Sequence, residues 1–160
     1  MANHFKDLEG KWGLVLGASS GFGAATAIGL AEAGMNICGV HLDRKATMAN
    51  AEEVISSIRA TGAEAFFFNV NATDAVKREE GLTALEKKMG KGGRLHVVLH
   101  SLAFGALKPY FGPRGETINQ SQIEMTLDVM AHSLVYWVQE IVARDLMGEG
   151  GKIFTMTSAG

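Results

Sequence analysis

The sequence is poor in the residues that would take it out of the ordinary globular class. Its single cysteine, Cys38, excludes an internal disulfide framework and a paired redox site. Only two prolines occur, Pro109 and Pro113, and they share one irregular stretch. The longest apolar stretch, Leu95 to Leu107, is broken by His96 and His100 and is too short to span a bilayer. A formal charge of −2 gives no bulk attraction to nucleic acid or to an anionic membrane. The N-terminal MANHFKDLEGK carries Asp7 and Glu9 and has no apolar core, so a secretory leader is not expected and a cytoplasmic location is. No His, Cys, Asp and Glu set has metal-ligand spacing, and no metal is expected.

What is present is an alternation of short apolar runs with longer segments of helical period, in 160 residues of which 47% are hydrophobic and 20% charged. Trp12–Gly17, Ile37–Leu42, Ala65–Val70, Leu95–Leu99 and Lys152–Met156 read as strands. The turn from Gly17 is followed by a small-residue helix to about Ala33, then helices over Lys45–Ala60 and Asp74–Met89 and a long one over Gln122–Met147. Strands apolar on both faces call for a parallel sheet covered on both sides, and right-handed crossovers then give a doubly wound α/β (Rossmann) domain. The expected strand order is 3-2-1-4-5. Residues 1–160 are read as one domain, with the last strand lacking a helix to cover it, so that a continuation beyond Gly160 is expected.

The chemistry concentrates at Gly17-Ala18-Ser19-Ser20-Gly21-Phe22-Gly23, between the first strand and the first helix. Glycine is needed where the turn is tight and where backbone must approach a pyrophosphate, and the helix N-terminus supplies free N–H groups and a positive dipole end. Ser19 and Ser20 add hydroxyl donors. The strand before, the helix after and a second strand ending near His41 complete the context of a dinucleotide site. No acidic residue stands at His41 to accept from a ribose 2′-OH, and Arg44 and Lys45 could clamp a 2′-phosphate, so the reading leans to NADP over NAD. Asp43 argues the other way if the loop turns it inward.

The GxxxGxG spacing resembles the short-chain dehydrogenase/reductase family, and the resemblance extends along essentially the whole chain. It implies that Asn69 and Val70 flank adenine, that Ser101, Leu102 and Ala103 run beside the nicotinamide-side ribose, and that Ser158 is catalytic. His100-Ser101-Leu102-Ala103-Phe104 is similar to the corresponding segment of enoyl-acyl-carrier-protein reductases, as is Asp128-Val129-Met130-Ala131-His132-Ser133. Met130 stands where ordinary members carry a catalytic asparagine, and the ordinary glycine spacing points to type III enoyl reductases, which implies NADPH. The implied reaction is hydride transfer to an enoyl thioester carried by acyl carrier protein, with a 3-oxoacyl or other carbonyl substrate as the alternative. The catalytic Tyr and Lys of the family have no counterpart here. Tyr110 and Tyr136 are followed four residues on by Arg114 and Glu140 and seven on by Thr117 and Ala143. The pair is expected past Gly160, so this chain alone is expected to be inactive. A non-catalytic nucleotide-binding or heteromeric module is the reading from another class, and the apolar stripe of the long helix suggests homo-oligomers for the complete protein.

Cys38 and the Phe66-Phe67-Phe68 run are read as core, Lys87, Lys88 and Lys91 as a solvated face. Met125, Met130 and Met147 are read as filling core or a subunit interface, and His132 as structural. His100 is open to either a structural or a functional role.

Overall fold

The computed structural model describes residues 7–157. Five parallel strands, β1 (Trp12–Leu16), β2 (Asn36–His41), β3 (Ala65–Asn69), β4 (Leu95–His100) and β5 (Met147–Thr155), lie in the order β3-β2-β1-β4-β5. Helices α1 (Gly21–Glu32), α2 (Met48–Ala60) and α3 (Ala75–Met89) make the first three crossovers. The fourth runs through α4 (Gln120–Leu127), a π-helical turn (Asp128–His132) and α5 (Ser133–Ala143). The doubly wound fold and its strand order are those the sequence predicts.

All five residues of β1 are buried because the strand is central and covered on both faces. Leu14 and Leu16 join Val40, Leu82, Leu85, Trp137 and Ile141 in a core between the sheet and α3 and α5. Val15 joins Ala27, Ala31, Ile37, Val54 and Ile58 on the opposite face, under α1 and α2. Side-chain alternation along one strand thus feeds two cores. Trp137 fixes α5 to the chain after β3 by donating from Nε1 to the Ala72 carbonyl at 2.9 Å. Cys38 is wholly buried and its thiol is pushed well above its ordinary pKa by that burial, as an inert core residue should be.

Several expected boundaries move for local reasons. The second helix starts at Met48, not Lys45, because the Thr47 and Met48 amides donate to the Arg44 carbonyl in a turn that keeps residues 43–47 out of the helix. Strand β3 is half-buried rather than covered on both faces, since it forms the sheet edge. Phe66 and Phe68 pack edge to face at 4.7 Å, and Phe67 fills the space left by Gly39, where a Cβ would meet its ring at 2.5 Å.

The long helix is the largest departure. It begins at Gln120 under a capping box, with the Asn119 side chain accepting from the Gln122 amide and the Gln122 side chain accepting from that of Asn119. It ends at Ala143, where Arg144 and Asp145 turn the chain, Asp145 at φ 53°. Met147 therefore opens β5 instead of closing the helix. The strand starts earlier than expected because Leu95 pairs with Met147 while Val97 pairs with Lys152, the glycine-rich residues between them looping out as a bulge. The outer part of β5 is open, with Ile153 and Phe154 exposed, as is Met156 just past its end. Met125 and Met130 are also exposed and fill no core in this chain.

Candidate functional site

The order in which the chain adds strands reverses about β1, whose neighbours are β2 and β4, and the C-terminal ends of these strands open into a cleft of about 930 Å³. A crevice at such a switch point is where doubly wound sheets bind ligands. Its floor is the glycine turn. The Gly17 and Ala18 amides donate to the Val40 carbonyl, and the Ser101 amide donates to that of Leu16, so the turn is tied to both neighbouring strands.

Two glycines in this turn have no substitute. Gly17 has φ +90°, and a Cβ on it would lie 2.3 Å from the Ser101 carbonyl oxygen. A Cβ on Gly23 would lie 1.9 Å from the carbonyl oxygen of Gly17. The first turn of α1 is thereby folded flat against the loop. Gly21 starts α1 at φ +55° with open space around it. Ser20 is the N-cap, but its side chain makes no capping bond, so its hydroxyl and the helix N-terminus are both free toward the cleft. This cradle, closed to side chains and rich in N–H donors, fits a pyrophosphate.

One wall is the loop after β2. His41 is buried at the strand end, and its Nδ1 lies 2.8 Å from Asp43 Oδ2. The Asp43 amide donates to Asn69 Oδ1 at 2.9 Å, and Asn69 Nδ2 donates back to the Asp43 carbonyl at 3.0 Å. Burial works against ionisation of Asp43. Hydrogen bonds from the Ser19, Thr47 and His41 side chains, with the His41 charge, outweigh it and hold the carboxyl group below its ordinary pKa. Arg44 is exposed on the same wall.

The opposite wall follows β4. Leu102, Ala103 and Phe104 line it together with Val129 and Asp128 from the π-helical turn. His100 is buried, and its Nε2 lies 2.8 Å from Ser133 Oγ. The Ser133 hydroxyl already donates to the Val129 carbonyl at 2.7 Å, so Nε2 carries the hydrogen toward Ser133. Burial pushes the His100 imidazole below its ordinary pKa, backbone contacts opposing in part. His100 thus anchors the wall from behind, the structural of the two roles left open for it, while Ser101 faces the cleft.

Of the residues selected from sequence, Gly17, Ser19, Ser20, Gly21, Phe22, His41, Arg44, Val70, Ser101, Leu102 and Ala103 come together around the cleft. Gly23 and Asn69 stand behind it, one against Gly17 and the other on the Asp43 backbone. Ser158 lies outside the described residues; just past β5, the Met156 amide donates to the His100 carbonyl. The reading of motifs passed over Thr47 and the Asn71-Ala72-Thr73 turn, and named Phe104 and Val129 within segments of family resemblance but not as cleft residues. The run of small polar residues before the Asp74 helix cap could have marked that turn.

Comparison with known proteins agrees with this geometry. Residues 17–160 match the family model described as enoyl-(acyl carrier protein) reductase. The chain is 29% identical over 157 residues to 2-dehydro-3-deoxy-D-gluconate 5-dehydrogenase of Dickeya dadantii, covering 95% of this chain and 55% of that protein. It is 26% identical over 159 residues to cyclohexanol dehydrogenase of a Rhodococcus species, covering 94% of this chain and 57% of that one. Among solved structures, a short-chain dehydrogenase of Burkholderia cenocepacia in complex with NADP superposes with a TM-score of 0.74 at 24% identity, over 95% of this chain and 57% of that one. A Sinorhizobium meliloti dehydrogenase/reductase gives 0.76 at 25% identity, over 94% and 54%. The chain spans a little over half the length of these relatives. With its glycine turn, its strand order and a family match running from that turn onward, the chain belongs to the short-chain dehydrogenase/reductase family described as enoyl-(acyl carrier protein) reductase.

Proposed function

We propose that this chain forms the dinucleotide-binding part of an NAD(P)H-dependent oxidoreductase. The observation that carries the reading is the cradle made by Gly17 and Gly23, where backbone occupies the space of two side chains and the N-terminus of α1 is left open. Gly17 to Gly21 and the Ser19 and Ser20 hydroxyls would hold the pyrophosphate, Val70 and its neighbours the adenine, and Ser101 to Ala103 the nicotinamide-side ribose. The bound cofactor supplies the hydride; the protein orients it and keeps water from it. Arg44 on the adenosine side favours NADP, as does the presence of NADP or NADPH in structural neighbours. Ser158 is the proposed hydrogen-bond donor to the reacting substrate oxygen.

An enoyl thioester on acyl carrier protein is the favoured substrate. Met130 supports it, because a thioether cannot hold a relay water as an asparagine amide does. A carbonyl or alcohol substrate is the second reading, favoured by the names of the relatives from Dickeya and Rhodococcus. The exposed Ile123, Leu127, Val135 and Val142 support pairing of the complete protein through its fourth crossover. The test is a fluorescence titration of the folded chain with NADPH and NADH. Saturable binding that Gly23→Ala abolishes is the expected result; absence of binding to a chain that is folded by circular dichroism overturns the reading.

A further inference from the structure

The fourth crossover changes its hydrogen-bond pattern where it meets the cleft. The Ser133 amide donates to the Asp128 carbonyl, five residues back, instead of to Val129, four back. The place this leaves on the Val129 carbonyl is taken by the Ser133 hydroxyl at 2.7 Å. A serine that bonds four residues back in an ordinary α-helix shares the carbonyl with an amide; here it replaces the amide. The hydroxyl is fixed in turn from β4, because His100 Nε2 lies 2.8 Å from Ser133 Oγ, and the Val129 backbone also faces the imidazole. Both side chains are buried, so bulk water does not compete for these bonds. Without the hydroxyl, the Val129 carbonyl lacks the donor that offsets its loss, and the amide of residue 133 is free to return to it.

Asp128 and Val129, the two residues between whose carbonyls that amide chooses, line the cleft beside Ser101 to Phe104. Their wall stands opposite His41 and Arg44, away from the adenosine side. His100 and Ser133 themselves do not line the cleft, so an effect of either on a ligand passes through the backbone of the turn. We propose that His100 and Ser133 are positioning residues: together they hold the π-helical pattern, and through it they set the Asp128–Val129 edge against the nicotinamide half of a dinucleotide. This rests on the cleft being a dinucleotide site.

The test has two arms on the 160-residue chain. In the first, NMR couplings across hydrogen bonds identify the carbonyl that accepts the amide of residue 133. Asp128 is expected in wild type, and Val129 in Ser133→Ala and His100→Leu. His100→Gln keeps an N–H donor at about the reach of Nε2 and is expected to restore Asp128. In the second arm, the chain is titrated calorimetrically with NADPH and with 2′-phospho-ADP-ribose, the same molecule without its nicotinamide. Ser133→Ala and His100→Leu are expected to lose roughly three- to tenfold in affinity for NADPH while holding that for 2′-phospho-ADP-ribose, with His100→Gln close to wild type. Should Ser133→Ala fail to fold, His100→Leu and His100→Gln carry both arms. An amide that stays on Asp128 in the folded Ser133→Ala or His100→Leu variant overturns the inference. Equal weakening of the two ligands also overturns it, by making the pair merely structural. Wild type that binds neither ligand ends the dinucleotide reading and this inference with it; binding of both with an unmoved amide removes this inference alone.

Discussion

The carbonyl oxygen of Gly17 occupies the space that a Cβ on Gly23 would need, 1.9 Å from that position. The obstacle is backbone, so it cannot rotate away. Gly23→Ala is expected to push α1 off the turn and destabilise the fold by about 1–3 kcal/mol. Dinucleotide binding should be lost at temperatures where the variant is still folded, as read by denaturant melts and cofactor fluorescence. Unchanged binding would show that the turn does not depend on this contact.

Trp137 ties α5 to the Ala72 carbonyl, at the turn that lines the adenosine side of the cleft. Trp137→Phe leaves that carbonyl without its donor and should cost about 1–3 kcal/mol. Trp137→Ala adds a cavity and should cost about 3–5 kcal/mol. Urea unfolding of the two variants orders these effects; a Trp137→Phe variant as stable as wild type would mean the indole N–H contributes nothing.

His100 and Ser133 give a prediction with a definite sign. The folded imidazole is shifted below its ordinary value of 6.5, so below that pH the unfolded chain binds more protons than the folded one. Stability is therefore full above pH 6.5 and declines as the pH falls toward the lower folded value. His100→Gln should remove that component of the acid dependence. Ser133→Ala strands a buried Nε2–H and should cost about 1–3 kcal/mol at neutral pH.

Asp43 titrates in a lower window. Its folded value lies below the ordinary 3.8, so the carboxylate contributes stability that is present above 3.8 and lost as the pH falls through the folded value. The stability difference between wild type and Asp43→Asn should be largest near neutrality and disappear in strong acid. A difference independent of pH would mean the contribution comes from shape rather than charge.

The fold was legible because the strands of the sheet centre are apolar on both faces, as in Leu14-Val15-Leu16, and because Gly17, Gly21 and Gly23 fall between a strand and a helix. Such signals are local in sequence. The cleft walls were less legible because their contacts are not local. Asn69 is bonded to Asp43 across 26 positions and His100 to Ser133 across 33, and neither residue type at either place announces its partner. Asn69 resembles an adenine contact on motif alone, and its bonds to the Asp43 backbone are a further role that the motif does not announce. Met147 was drawn into the helix by its apolar spacing, whereas the turn at Asp145 has no strong sequence signal, aspartate being only moderately suited to positive φ.

The π-helical turn at Asp128–His132 has a consequence for how the fourth crossover faces its surroundings. A π turn carries an extra residue, and each added residue rotates the downstream part of the helix by about 100° about its axis. Ile123 and Leu127, which share a stripe with Trp137 and Ile141 in an uninterrupted helix, are accordingly exposed while Trp137 and Ile141 are buried. One helix thus runs in two angular phases. Deleting a single residue within the turn would bring them back into register, and in doing so would carry either the upstream apolar face or the Asp128–Val129 edge of the cleft away from its present direction.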